Sequence, residues 1–213
     1  MLDRLQRQLE RTYELHVGHA VQDFLITDPA LASAIDSSDH PDVPEKLLIR
    51  EGGRDLDVGL FIDERVMAAL SRDDPTARLH PGNLESFLIA LEGVSHFLYL
   101  VFNATYARPI SLFELELQAE VDKYVTAAFL FAHQLGRVPS GLGRRLFDDP
   151  ILHPELSPES ARRYEAANYY AARYCAELER VYLRGRADGL MRELRRFYRL
   201  PQEKKLRHIR RLN

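Results

Sequence analysis

"NLESFLIALEGVSHFLYLVFNATY", residues 83–106, decides the fold. Apolar residues cover nearly every side of a helix drawn on this stretch. Glu85, Glu92, His96, Tyr99 and Asn103 interrupt them, and at roughly 100° per residue these five fall within a stripe about 60° wide. A helix apolar all round except for one stripe sits at the centre of a bundle, and the stripe either faces water or lines a site.

The next stretch sharpens that choice. Ser111 followed by Glu114 is a capping-box pattern and starts a second long helix, and the short connection "ATYARPI" makes the two helices antiparallel neighbours. On the second helix Glu114, Gln118 and Asp122 lie on one side, whereas Glu116, Glu120, Lys123 and Gln134 lie roughly opposite. A bundled helix rarely offers two opposite faces to solvent, so one stripe is expected to point inward. If the pair folds about residue 107 or 108, residues whose numbers sum to about 215 lie level. Glu92 then meets Lys123, His96 meets Glu120, and Tyr99 meets Glu116.

Imidazole and carboxylates together are ligands for Mn, Fe or Zn, and helical proteins build such sites in bundle cores. Glu92, His96, Glu116 and Glu120 are therefore the candidate ligands of a divalent metal, with Tyr99 and Lys123 beside them. The di-iron pattern needs Glu-x-x-His twice, whereas Glu92 and His96 are four apart and occur once. Without a metal, a carboxylate next to His96 makes an acid–base pair, with His96, Glu120, Tyr99 and Lys123 as the catalytic candidates. The opposing reading is a structural ladder, because buried polar groups pair for stability alone. Arg162, Arg163, Tyr164, Asn168 and Arg173 are candidates to close its open side.

The rest of the chain reads as mainly α, a helical bundle with one small β-hairpin. Leu2, Leu5, Leu9, Tyr13, Val17, Ala20 and Phe24 recur every three or four residues and predict one amphipathic helix over 2–26. "TDPALASAID" predicts a short helix with Pro29 at its first position, and 37–44 a loop. Leu56, Val58, Leu60 and Ile62 alternate, and Gly52 and Gly53 mark a fold-back, so strands are expected near 45–51 and 55–63. A short helix follows at "ERVMAALSRDD", and Asn83 is the expected N-cap of the first long one. Glycines and prolines over 136–158 predict an irregular excursion. Ser157 and Pro158 then open a helix to about 183, a glycine-punctuated break covers 185–189, and helices follow near 190–199 and after Pro201.

Composition bounds the class. With 213 residues, 46% of them hydrophobic and 29% charged, and a net charge of −3, the chain reads as one globular domain over 1–213. The single Cys175 excludes an intrachain disulfide and a cysteine zinc cluster. The start "MLDRLQRQLER" lacks the apolar stretch of a signal peptide, so a cytoplasmic location is expected. Residues 84–106 and 112–135 are long enough to span a bilayer, yet ionisable groups interrupt both, and no transmembrane segment is expected.

Charge is unevenly distributed. From Arg184 onward eleven Lys and Arg face three Asp and Glu, a balance of +8 that leaves −11 for the preceding 183 residues. Near 190–199, Arg192, Arg195, Arg196 and Arg199 share one face and Leu190, Met191, Leu194, Phe197 and Tyr198 the other. These arginines either dock an acidic protein or another anionic partner, or cover the chain's own acidic body. Nucleic-acid binding there would be salt-sensitive and sequence-blind, and no motif points to it.

His16 and His19, three apart on the expected first helix, lack a third ligand. "SGLGRR", 140–145, does not match a phosphate-loop spacing. Two functional readings follow. One is a cytoplasmic adaptor that uses the basic C-terminal segment 184–213 and self-associates, or meets a protein partner, through its N-terminal helix. The other is a metal-binding helical-bundle enzyme built on the Glu/His ladder.

Overall fold

The computed structural model describes residues 1–35, 43–52, 55–148, 156–183 and 188–212. Among them, nine α-helices enclose a core and carry a three-stranded sheet on one side. The two long central helices are α4 (Leu84–Thr105) and α5 (Leu112–Leu135). They run antiparallel: the cross-helix partner of Glu92 is Lys123, that of Ser95 is Asp122, and that of Tyr99 is Glu114. Ser111 and Glu114 make the full capping box at the start of α5, and Gly136 ends it in the left-handed region at φ 67°.

Around this pair, α1 (Leu2–Tyr13) and α3 (Glu64–Arg72) lie against α4, while α6 (Leu142–Phe147) and α7 (Pro158–Leu178) lie against α5. The C-terminal helices α8 (Leu190–Arg199) and α9 (Gln202–Arg210) pack on α1 and α7 respectively. Phe87, Ala90, Leu91, Val94 and Phe97 of α4 are fully buried, as are Leu117, Val121 and Ala127 of α5. By length and composition α4 could cross a membrane, and most of it is buried inside the fold.

The expected hairpin forms from β2 (Glu45–Gly52) and β3 (Asp55–Ile62), with Glu45 opposite Ile62. Leu60 and Ile62 join the main core against α4, while Leu48 and Phe61 meet Ala32 of α2 (Pro29–Ile35) on the other face. An unexpected strand, β1 (Leu25–Ile26), pairs parallel with β3. The turn residue Gly53, loop residues 37–42, Pro150, Pro154 and residues 185–187 lie outside the described residues.

Several expectations change. The first helix ends at Tyr13, not near residue 26, and Glu14 sits in the left-handed region at φ 50°. The chain then doubles back, because the Gln6 side chain accepts from the Val21 amide at 2.7 Å and donates to the His19 carbonyl at 2.8 Å. Beyond Tyr13 the three-and-four spacing fails: of its members Val17 is buried, Ala20 is exposed and Phe24 is partly buried, and none of them is in α1. His16 and His19 therefore do not share a helix face.

Asn83 is the N-cap residue of α4 as expected, but its side chain makes no capping bond and instead accepts from the His80 amide and donates to the Arg78 carbonyl. The excursion after residue 136 contains α6, which begins inside "SGLGRR". α7 is α-helical only to Leu178, and a π-turn covers Glu179–Leu183.

Candidate functional site

Both polar stripes of α5 point inward. Glu114, Gln118 and Asp122 are buried, and so is Glu116, with Glu120 and Lys123 partly buried on the opposite side. Two separate polar clusters result, one on each flank of the central pair.

The first lies where α4, α5 and β2 meet. His96 is buried, with Nδ1 3.4 Å from Glu45 Oε1 and Nε2 3.6 Å from Glu116 Oε2. These separations are long for hydrogen bonds, and His96 Nε2 and Glu45 Oε1 are both buried without a hydrogen-bond partner. Glu92, His96 and Glu116 can bring one ligand atom each to within 4.8 Å of one another. Lys123 Nζ lies 3.1 Å from Glu92 and 2.5 Å from Glu120. Tyr164 of α7 lies near enough to Glu116, Glu92 and Glu45 for their charges to act on its phenol.

Four carboxylates thus face two cationic groups in a largely buried cluster, and the proton affinities reflect it. Burial disfavours the imidazolium, yet Glu45 and Glu116 hold His96 well above its ordinary range. Burial pushes Glu45 and Glu120 up. Burial also opposes ionisation of Glu92, but Lys123 and His96 hold its carboxyl below the usual range. Lys123 loses solvation and is still held above its ordinary value by Glu92 and Glu120. Burial, followed by the nearby Glu116, raises the Tyr164 phenol.

The second cluster joins α1, α4, α5 and α9. Asp122 accepts from the Tyr13 hydroxyl, from Ser95 Oγ at 2.6 Å and from Gln118 Nε2 at 2.8 Å. Lys205 of α9 is fully buried and donates from Nζ to Gln118 Oε1 at 2.6 Å. Its ammonium lies 4.5 Å from the Tyr99 ring centre and 4.9 Å from that of Phe197. Tyr99 donates to Glu114 at 3.1 Å, and Arg108 pairs with the same carboxylate.

Of the expected ladder, only the Glu92–Lys123 rung forms as paired. His96 meets Glu116 and Glu45 rather than Glu120, and Tyr99 meets Glu114 rather than Glu116. Tyr99 therefore belongs to the second cluster, away from the candidate ligands. Tyr164 feels the charges of the first cluster's carboxylates, while Asn168 bonds the Phe147 carbonyl and Arg173 the Leu212 carbonyl.

Glu45 and Lys205 are the residues that sequence reasoning missed. A glycine inside α4 was the available signal for the first. A Cβ on Gly93 would stand 2.9 Å from Glu45 Cγ and 2.9 Å from Leu60 Cδ1, so only glycine lets β2 press Glu45 against His96. Gly93→Ala is expected to lower stability by about 1–3 kcal/mol through overpacking, despite a gain of about 1 kcal/mol in helix propensity. An unchanged or higher urea midpoint would contradict this close approach.

The arginines of α8 are largely engaged within the chain. Arg195 Nε donates to the Thr12 carbonyl at 3.2 Å and pairs with Glu14 at 2.5 Å. Arg199 donates to the Tyr13 carbonyl at 2.9 Å and to the Glu14 carbonyl at 3.0 Å. Together they satisfy the carbonyls that α1 leaves free at its end. Arg196 contacts His208 and Glu193, so among the described residues Arg192 alone of the four has no such contact. The Cys175 thiol is buried and its proton affinity raised by burial, which leaves it unreactive. Compared with protein-family models, curated proteins and solved structures, the chain matches none.

Proposed function

We propose that the protein is a metal-binding helical bundle in which Glu92, His96 and Glu116 hold a divalent Mn, Fe or Zn ion. The observation that carries this reading is the convergence of these three side chains to within 4.8 Å, with a buried His96 nitrogen that has no hydrogen-bond partner. Two carboxylates and one imidazole make an oxygen-rich set of the kind these metals accept. Because His96 Nε2 faces Glu116 and Nδ1 faces Glu45, Nε2 is the metal-side nitrogen. Nδ1 then faces Glu45 at 3.4 Å, and this carboxylate's charge orients the ring and raises its basicity. Glu120 is held by Lys123 and supplies charge at the edge of the site. An ion bound there would provide Lewis-acid or redox chemistry, beside a Tyr164 phenol that burial and the neighbouring carboxylates keep protonated.

Protein purified without chelator or affinity metal and then offered Mn, Fe or Zn singly is expected to retain about one ion per chain. His96→Ala and Glu116→Gln should each weaken retention by at least about tenfold. Binding should also strengthen as pH rises, because the ion displaces the imidazolium proton. No retention by the wild-type chain, or full retention in both variants, would overturn the reading. Docking of an acidic partner through Arg192, Arg195, Arg196 and Arg199 has less support, since Arg195 and Arg199 already serve the end of α1.

A further inference from the structure

A groove on the opposite flank from the Glu/His cluster has a volume of about 460 Å3. Arg4, Arg7 and Arg11 of α1 border it, spaced so that their guanidiniums project from one face of the helix. Phe129 and Leu130 of α5 and Met191 of α8 supply apolar wall, and no carboxylate among the described residues lines it. Arg4 is fixed at the rim by Asp74 at 2.7 Å and Thr76 at 3.0 Å. Arg7 and Arg11 have no acidic partner among the described residues, and Arg11 Nε donates only to the Arg7 carbonyl. In a chain with 32 acidic against 29 basic residues, two guanidiniums without an acidic partner beside an apolar wall are a local imbalance.

We propose that this groove binds a phosphate monoester with an apolar organic part. Guanidinium forks match phosphate oxygens, and two forks four residues apart can close on one dianion. The volume is in the range of small-molecule sites and leaves room beyond the phosphate for an apolar group against Phe129, Leu130 and Met191. The metal reading plays no part in this inference.

Titration calorimetry with 1-naphthyl phosphate, inorganic phosphate and 1-naphthol tests it. Naphthyl phosphate is expected to bind at least about tenfold more tightly than either control, with affinity falling as salt rises. Arg7→Ala and Arg11→Ala, both at exposed helix positions that tolerate alanine, should each weaken it by about tenfold. A circular-dichroism melt confirms that the variants are folded. No binding, equal affinity for inorganic phosphate or for naphthol, or binding that survives the double substitution would each overturn the proposal.

Discussion

An Asp122→Ala chain is expected to lose about 3–5 kcal/mol of unfolding free energy at pH 7, the usual penalty for breaking a buried charged network from one side. Asp122 is almost fully buried and takes hydrogen bonds from Tyr13, Ser95 and Gln118, which sit on three different helices. Burial pushes its carboxyl up to about 6, against the pull of these donors and of Lys205, so it is mostly ionised at neutral pH. Alanine would leave three donors in a buried core and remove one of the two carboxylates, the other being Glu114, that offset burial of the Lys205 ammonium. Asp122→Asn keeps the shape and one acceptor, and should cost only about 1–3 kcal/mol. Chemical denaturation of both variants measures this, and a loss below about 1 kcal/mol for alanine would show that the network contributes little.

Relative to a Lys205→Met variant, the wild-type chain is expected to gain stability as pH rises from about 7 towards 10.5. Burial, opposed by Glu114 and Asp122, lowers the Lys205 ammonium from near 10.5 to about 7. Below that value the folded and unfolded chains both carry the proton, and the folded chain bears the full penalty for burying it. Between about 7 and 10.5 the unfolded chain binds a proton that the folded one has released, so stability climbs. A gap of that size corresponds to about 5 kcal/mol over the window, less whatever the Tyr99 and Phe197 rings return by holding the cation.

Lys205 is faced by Glu114, Gln118 and Asp122 from α5, Tyr99 from α4, Tyr198 from α8 and Arg108 from the α4–α5 connection. Subtracting the methionine variant removes groups that titrate in both proteins, including the buried tyrosines. A difference that stays flat between pH 7 and 10 would mean that Lys205 keeps its proton throughout.

The legible parts of the fold were those set by near neighbours in the chain. The Ser111–Glu114 capping box, the alternation through Ile62 and the 190–199 helix each rest on residues a few positions apart. The end of α1 was not legible, because Val17, Ala20 and Phe24 continue the apolar rhythm while a Gln6 clamp and two arginines from α8 turn the backbone away. Spacing of apolar residues is a local pattern, and it continues unchanged across a backbone turn that distant side chains impose.

For the candidate site, the sequence by itself determined that polar groups occupy faces of two apolar antiparallel helices, because helical periodicity assigns each residue to a face. It also brought Glu92, His96 and Glu116 into one set, and their atoms do converge. Only the tertiary structure decided which groups meet. The rotation of α5 against α4 sent Tyr99 to Glu114 and left His96 between Glu116 and Glu45. Glu45 arrives from a strand 51 residues earlier in the chain, and Lys205 from a helix 83 residues after Asp122. Contacts that distant depend on how whole elements pack, and local pattern carries no record of that packing.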